Sequence, residues 1–317
     1  VSEYQYYEFQ AIDRRLTAGE MAKLRSYSTR ARITPTTFVN EYEWGDFKGD
    51  EDGWMNKYFD AFLYFANWGT RILKLGVPSR LLDRTMAAAY CIGDSASVRE
   101  HEGKTILTFV SEKEEDEWPE ESDALAVLTP IRMQLSGGDF RSLYLGWLLS
   151  VQTGEVEDDE LEPPVPPGLK DLDGSLERLV DFLRIDLDLI EVAAAASPAM
   201  QGGSLSRDAI RKWIAGQTAA QKDDYLERFI AAEDPALIIE LQRMAGNRHG
   251  AVAATRNPRT AGALLQAAQQ AGDDRRCAAS ERARIEKSRH EREAALTRSK
   301  YLGDLRENQL YGMRSKP

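Results

Sequence analysis

The chain has 317 residues, of which 42% are hydrophobic and 29% charged. That is long for one domain and ample for two. The composition is that of a globular chain, and no apolar run approaches the ~20 residues that a membrane-spanning helix needs. The formal net charge of −11 is unevenly spread: from Arg243 onward sixteen basic residues face eight acidic ones, a net +8, leaving −19 on residues 1–242. A tail of that sign suits an acidic surface, whether a partner's or that of the chain's own body.

The first residues lack a basic start, an apolar stretch and a small-residue cleavage site, so no secretory signal is read and a cytoplasmic location is expected. Cys91 and Cys277 lie 186 positions apart, and His101, His249 and His290 are equally scattered. Neither a disulfide framework nor a zinc site with close-set ligand pairs is expected, and no cofactor motif is present. Sixteen of the 28 aromatic residues fall between Tyr4 and Trp68, which marks the amino-terminal segment as aromatic-rich.

In chain order, residues 4–12 are partly alternating and read as a strand. Residues 16–27 read as a helix, with Thr17 as N-cap and Glu20 completing a capping box. Residues 36–44 alternate, with Phe38, Asn40, Tyr42 and Trp44 on one face and Thr37, Val39, Glu41 and Glu43 on the other. From 50 to 68 the stripe Trp54, Met55, Tyr58, Phe59, Phe62, Leu63 and Phe65 repeats at three and four, which predicts one long helix closed by Gly69. Residues 71–77 predict a strand, with Arg71 and Lys74 on opposite faces by parity. Residues 97–99 and 105–111 predict a hairpin, and 125–135 and 140–151 two apolar helices.

The fold class expected is α+β: a small sheet with packed helices at the amino terminus, then an all-α region and a long charged C-terminal helix. Four prolines and uncompensated acids at 154–170 read as a solvated linker separating an α+β domain, 1–153, from a helical bundle-like region, 171–250. In that region Thr218 with Gln221 forms a second capping box, and Asp234-Pro235 opens another helix. Residues 255–317 read as a basic helix or disordered tail. Between Gln266 and Ala295 its only large aliphatic residue is Ile285, so the repeated positions of a coiled coil are missing. Ion pairs at i and i+4 are expected for Arg282–Glu286, Lys287–Glu291 and Arg289–Glu293.

The segments YYEFQAIDR (6–14), NEYEWGDFKG (40–49), YFDAFLYFANWGT (58–70), DFRSLYLGW (139–147) and EPPVPPGL (162–169) resemble a bacterial family of hypothetical proteins over roughly residues 1–250. The resemblance implies no activity. It implies a long charged helix after the bundle, with relatives continuing past the point where this chain stops.

Two strings imitate motifs. Gly103-Lys104-Thr105 lacks the first glycine of a phosphate loop, since position 98 is Val98. Gly137-Gly138-Asp139-Phe140 imitates the signature of diguanylate cyclases, but an apolar helix follows it, so it reads as a glycine break with Asp139 as N-cap. The remaining chemistry is the acidic and aromatic density around Glu41, Asp46 and Asp60, with Asn67, Trp68 and Arg71 close by in sequence. Carboxylates beside rings are what a general acid with a raised pKa uses. The plainer alternative makes Glu41 and Glu43 a solvated strand face, with Asp60 and Asn67 satisfying backbone groups.

Two functions follow. One is an adaptor that docks a macromolecule, a protein above all, through the charged arm. The other is an enzyme working at Glu41, Asp46 and Asp60. Nucleic acid is the weaker partner because seven cations between Asp273 and Glu293 meet six acids, a poor phosphate stripe.

Overall fold

Among the described residues, seven strands and twelve helices follow one another as β1 (Gln5–Gln10), α1 (Ala18–Tyr27), β2 (Arg32–Ile33), β3 (Thr37–Tyr42), α2 (Glu51–Lys57), β4 (Ala61–Ala66), β5 (Thr70–Pro78), α3 (Arg84–Ala88), β6 (Ala96–His101), β7 (Lys104–Glu112), α4 (Ala124–Leu128), α5 (Pro130–Ser136), α6 (Arg141–Gln152), α7 (Gly174–Leu183), α8 (Leu187–Ala195), α9 (Arg207–Gly216), α10 (Ala219–Ala231), α11 (Leu237–Ala245) and α12 (Ala261–Arg314). The computed structural model describes residues 4–45, 47–113, 124–200, 206–231, 234, 236–246 and 258–314, with side chains described as far as residue 294. The strands form a single antiparallel sheet in the order β2-β3-β1-β4-β5-β7-β6, and the fold is α+β.

Both faces of the sheet are covered. Tyr7, Phe9, Phe38, Phe62, Tyr64 and Ile106 share one face and pack with Leu16 and Leu24 from the α1 region and Trp54, Met55, Tyr58 and Phe59 from the α2 region. Phe9 is the hub of this cluster, with ring centroids 4.4 Å from Phe62, 5.1 Å from Phe59 and 5.2 Å from Trp54. The opposite face carries Leu63, Leu73, Leu75, Leu107 and Phe109, all buried, and is covered by α4 to α7. Arg71 and Lys74 leave β5 on opposite faces, as its parity demands. Arg71 donates to the carbonyls of Asp181 and Phe182 at the end of α7, whereas Lys74 pairs with Glu51 and Asp52 on α2.

Local chemistry sets the boundaries of these elements. Thr17 Oγ1 accepts from the Glu20 amide at 3.2 Å while Glu20 Oε2 accepts from the Thr17 amide at 2.8 Å, the reciprocal pair expected of a capping box. The β6–β7 turn places Glu102 and Gly103 at φ 47° and 78°, the left-handed pair that matches the twist of a two-residue hairpin.

The long helix expected over 50–68 is not formed. Asp50 caps the seven-residue α2 and accepts from the Gly53 amide at 3.0 Å; the chain then turns into β4, whose six residues are all buried. A central strand covered on both faces shows no polar alternation, and its apolar run imitates helical spacing. Gly69, at φ 99°, turns the β4–β5 hairpin rather than ending a helix. Trp44 also leaves the strand face on which alternation places it with Phe38: β3 ends at Tyr42, and Trp44 is 66% exposed with the Arg30 guanidinium 5.0 Å above its ring.

The solvated linker expected at 154–170 is packed instead. Val156, Glu162, Val165 and Leu169 are buried, Tyr90 donates to the Pro164 carbonyl at 2.7 Å, and the Gly168 amide donates to the Pro198 carbonyl at 2.8 Å. The two domains expected on either side of it belong to one unit, Val1–Gln266, and the division falls after it, before Ala267–Pro317. Prolines bar regular structure without barring burial, since their rings are apolar and lack only the N–H. Leu161 and Thr260 form an isolated antiparallel bridge, which ties the start of α12 to this strap. The second unit is the remainder of α12.

Candidate functional site

Two of the three candidate acids, Glu41 and Asp60, are not brought together. Glu41 lies exposed on β3 and pairs with Arg32 at 3.1 Å, on the sheet face opposite Phe38 and Asn40. In register it stands across Tyr6 from Phe65, whereas Asp60 immediately precedes Ala61 at the other end of β4. At ~3.3 Å per residue, five residues separate the two carboxylates by ~16 Å along the strand. Asp46 lies outside the described residues.

Asp60 is a buried structural carboxylate. Its Oδ2 accepts from the amides of Ile12 at 2.7 Å and Asp13 at 2.9 Å, and its Oδ1 accepts from Lys104 Nζ at 2.8 Å. Burial pushes its pKa up, but the Lys104 ammonium, the backbone donors and Arg132 outweigh that and hold it below the usual carboxylate range. Asp13 behaves oppositely: burial raises its pKa against the pull of Arg132, whose guanidinium bonds it at 2.5 Å. Asn67 Oδ1 likewise accepts from the Tyr4 amide at 3.1 Å. Both residues therefore do what the plainer reading assigned to them.

Other buried polar clusters secure the chain where regular hydrogen bonding ends. Glu162, with a fully buried side chain, receives Arg259 Nε at 2.9 Å and a second guanidinium nitrogen at 2.7 Å, and it accepts from the Tyr144 hydroxyl. Arg259 also donates to the Val192 carbonyl at 2.8 Å. Burial, and then the adjacent Glu162, drive the Tyr144 hydroxyl far above its ordinary pKa, so it stays a donor at any physiological pH. Arg141 joins Asp139 and Asp173 at the start of α6, and Arg184 gathers the carbonyls of Gly69, Ser111 and Lys113. The sequence carries no signal for these long-range pairs, because Glu162 sits among acids and prolines, 97 positions from Arg259. Burial lifts the Cys91 thiol to about 12, which keeps it protonated and a poor nucleophile. No group of three or more metal-capable side chains occurs among the described residues, and no helix there is long and apolar enough to cross a membrane.

The chemistry left open to solvent is of another kind. Helices α9 and α10 bury none of their residues, and Trp213 stacks on Tyr225 with centroids 5.9 Å apart. Arg80, Arg228, Asp234 and Glu240 interlock where α11 meets the body, and Arg243 donates to the carbonyls of Leu81 and Ser136. Leu226, Phe229, Ile230 and Ile238 remain exposed beyond that contact. In α12 every residue from 273 to 294 is exposed, including Ile285 at 60%. Of the expected intrahelical pairs, Arg289–Glu293 forms at 3.8 Å, while Arg284 takes Glu281 at 2.8 Å and Arg276 takes Asp273 at 2.5 Å.

No protein-family model matches this chain, and neither a curated protein nor a solved structure matches it.

Proposed function

We propose that this protein is a cytoplasmic interaction protein of bacterial type, whose α+β body presents α12 as a charged arm that docks another protein. One observation carries the reading: residues 273–294 form a helix in which every side chain is exposed. Helical stability in proteins comes mostly from tertiary packing, and an uncovered helix of this length gains that packing from a partner. Alternating charges along it are suited to a mixed-charge protein surface more than to a phosphate backbone. The saturation of Asp60 by two amides and an ammonium supports the same view, because it removes a candidate acid from the alternative reading.

The test is quantitative affinity isolation from the native cell, comparing the intact chain with one in which Arg282, Arg284 and Arg289 are replaced by glutamate. A defined set of proteins retained by the first and lost by the second is expected. Identical sets would refute docking through the arm.

A further inference from the structure

Helices α7 and α8 enclose an open groove of about 780 Å³. Leu172, Val180, Leu187, Ile190 and Ala194 supply its apolar lining, and Leu187, the first residue of α8, is 63% exposed within it. Glu177 and Asp181, one helical turn apart on α7, stand on one wall and Glu191 on the other, against a single cation, Lys170. None of these three carboxylates forms an ion pair among the described residues, although buried or half-buried acids elsewhere in the body, such as Asp13, Asp60, Glu162 and Asp234, are matched to lysine or arginine. The groove thus joins an apolar lining to a rim of exposed acids that outnumber its one lysine.

We propose that the groove between α7 and α8 is a docking site for a basic amphipathic helix of another protein, which would lay its apolar stripe on Leu172, Leu187 and Ile190 and set lysine or arginine against Glu177, Asp181 and Glu191. The dimensions fit, because walls of ten and nine residues run ~15 Å at 1.5 Å per residue, enough for about three turns of a bound helix. An amphipathic helix in an apolar groove is anchored through residues at i, i+3 or i+4 and i+7, which that length accommodates. Charge selects the sign of the guest: residues 1–242 carry −19, so an acidic helix is repelled both by the rim and by the body, whereas a basic one is drawn in. The stretch of α12 from Gln266 to Ala295 is unsuited to the site, since its only large aliphatic residue is Ile285 and its seven cations meet six acids. This surface is therefore distinct from the arm and stands or falls separately.

The probe is a synthetic 18-residue helical peptide with a leucine stripe and lysines on its remaining positions, titrated by fluorescence anisotropy into the full chain at low and at 0.5 M salt. The control peptide carries glutamate in place of lysine. Saturable binding of the lysine peptide alone is expected, weakened by salt. Glu177→Gln with Glu191→Lys should weaken it about tenfold, and Leu187→Asp by a similar factor. Leu187 is exposed at the first turn of α8, where aspartate suits the helix, so the latter variant keeps the fold, which its melting temperature verifies. Equal binding of both peptides, or unchanged affinity in the two groove variants, would place the peptide elsewhere and overturn the proposal. So would self-association of the chain that Leu187→Asp abolishes, because the groove would then belong to a second copy.

Discussion

Lys104 Nζ stands 2.8 Å from Asp60 Oδ1 and donates in addition to the carbonyls of Met55 and Phe59, at 3.2 and 3.0 Å. One ammonium therefore closes the end of α2, fixes the turn into β4 and neutralises the carboxylate that holds the amides of Ile12 and Asp13. This cluster lies where the chain leaves α2 after Lys57, the point past which aromatic spacing alone would extend a helix.

Replacing Asp60 by alanine removes three hydrogen bonds and leaves Lys104 without a counter-charge. Breaking a buried pair from one side costs ~3–5 kcal/mol, and the partial exposure of Lys104 places this case toward the lower end. A large fall in the urea midpoint is expected, with unchanged slope. A midpoint within error of the parent would show that the cluster contributes nothing to stability.

The same cluster sets part of the acid limb. Asp60 has its folded pKa depressed, so its contribution is complete above the unfolded value near 3.9 and is lost as pH falls through the lower folded value. Glu20, held at about 2 by its hydrogen bonds to Arg14, acts with the same sign, though solvent screens its exposed partner. Asp13 opposes them: its raised folded pKa makes its ionisation a cost as pH rises through the carboxylate range. Stability should fall from pH 4 downward, and Asp60→Asn should flatten that fall. Denaturant midpoints taken between pH 2 and 6 decide the point, and an equally steep decline in the variant would assign the acid limb to other groups.

Much of this architecture is legible in the sequence, for reasons that are local. Thr17 and Glu20 define a cap within four residues, and Glu102-Gly103 define a hairpin within two. Parity alone puts Arg71 and Lys74 on opposite faces. Patterning fails where burial is two-sided, as in β4, because a strand with no solvent face carries the same composition as a helix stripe. It fails again at 162–169, where prolines and acids suggest solvent but Arg259, far away in sequence, supplies the cation that allows Glu162 to be buried. Proximity in sequence misleads for Glu41 and Asp60, which diverge because β3 and β4 place them at opposite ends of their strands.

Gly146 lies where α6 packs tightly against Phe109 of β7. A Cβ built there would lie 2.4 Å from Cε1 and 2.9 Å from Cδ1 of Phe109, whose ring is fully buried. Alanine gains ~1 kcal/mol of helix propensity over glycine, yet overpacking of this severity costs ~1–3 kcal/mol. Gly146→Ala should therefore be neutral to destabilising rather than stabilising. Adding Phe109→Leu makes room, so the double variant should lose less than the sum of the two single losses. Strict additivity in urea unfolding would mean that helix and strand separate freely here.

The expectation with most bearing on function concerns α12. Residues 273–294 are helical and wholly exposed, and Ile285 is the only large aliphatic side chain between Gln266 and Ala295. Intrahelical pairs such as Arg284–Glu281 contribute ~0.2–0.5 kcal/mol each. Ordering a backbone residue costs ~1–2 kcal/mol before its hydrogen bonds are counted. A helix supported only by its own hydrogen bonds and such pairs is marginal in water, and Gly272 near the start of the segment weakens it further. It should open on its own, without unfolding the body, and its amides should exchange through that local opening. Amide hydrogen exchange of the free protein should show fast exchange across 273–293 and slow exchange in β4, whose residues are all buried, and in the largely buried β5. Adding a docking partner should slow exchange in the arm while leaving β4 unchanged. Strong protection of 273–293 in the free monomer would mean that the arm already has a cover, and the docking role proposed for it would lose its physical basis.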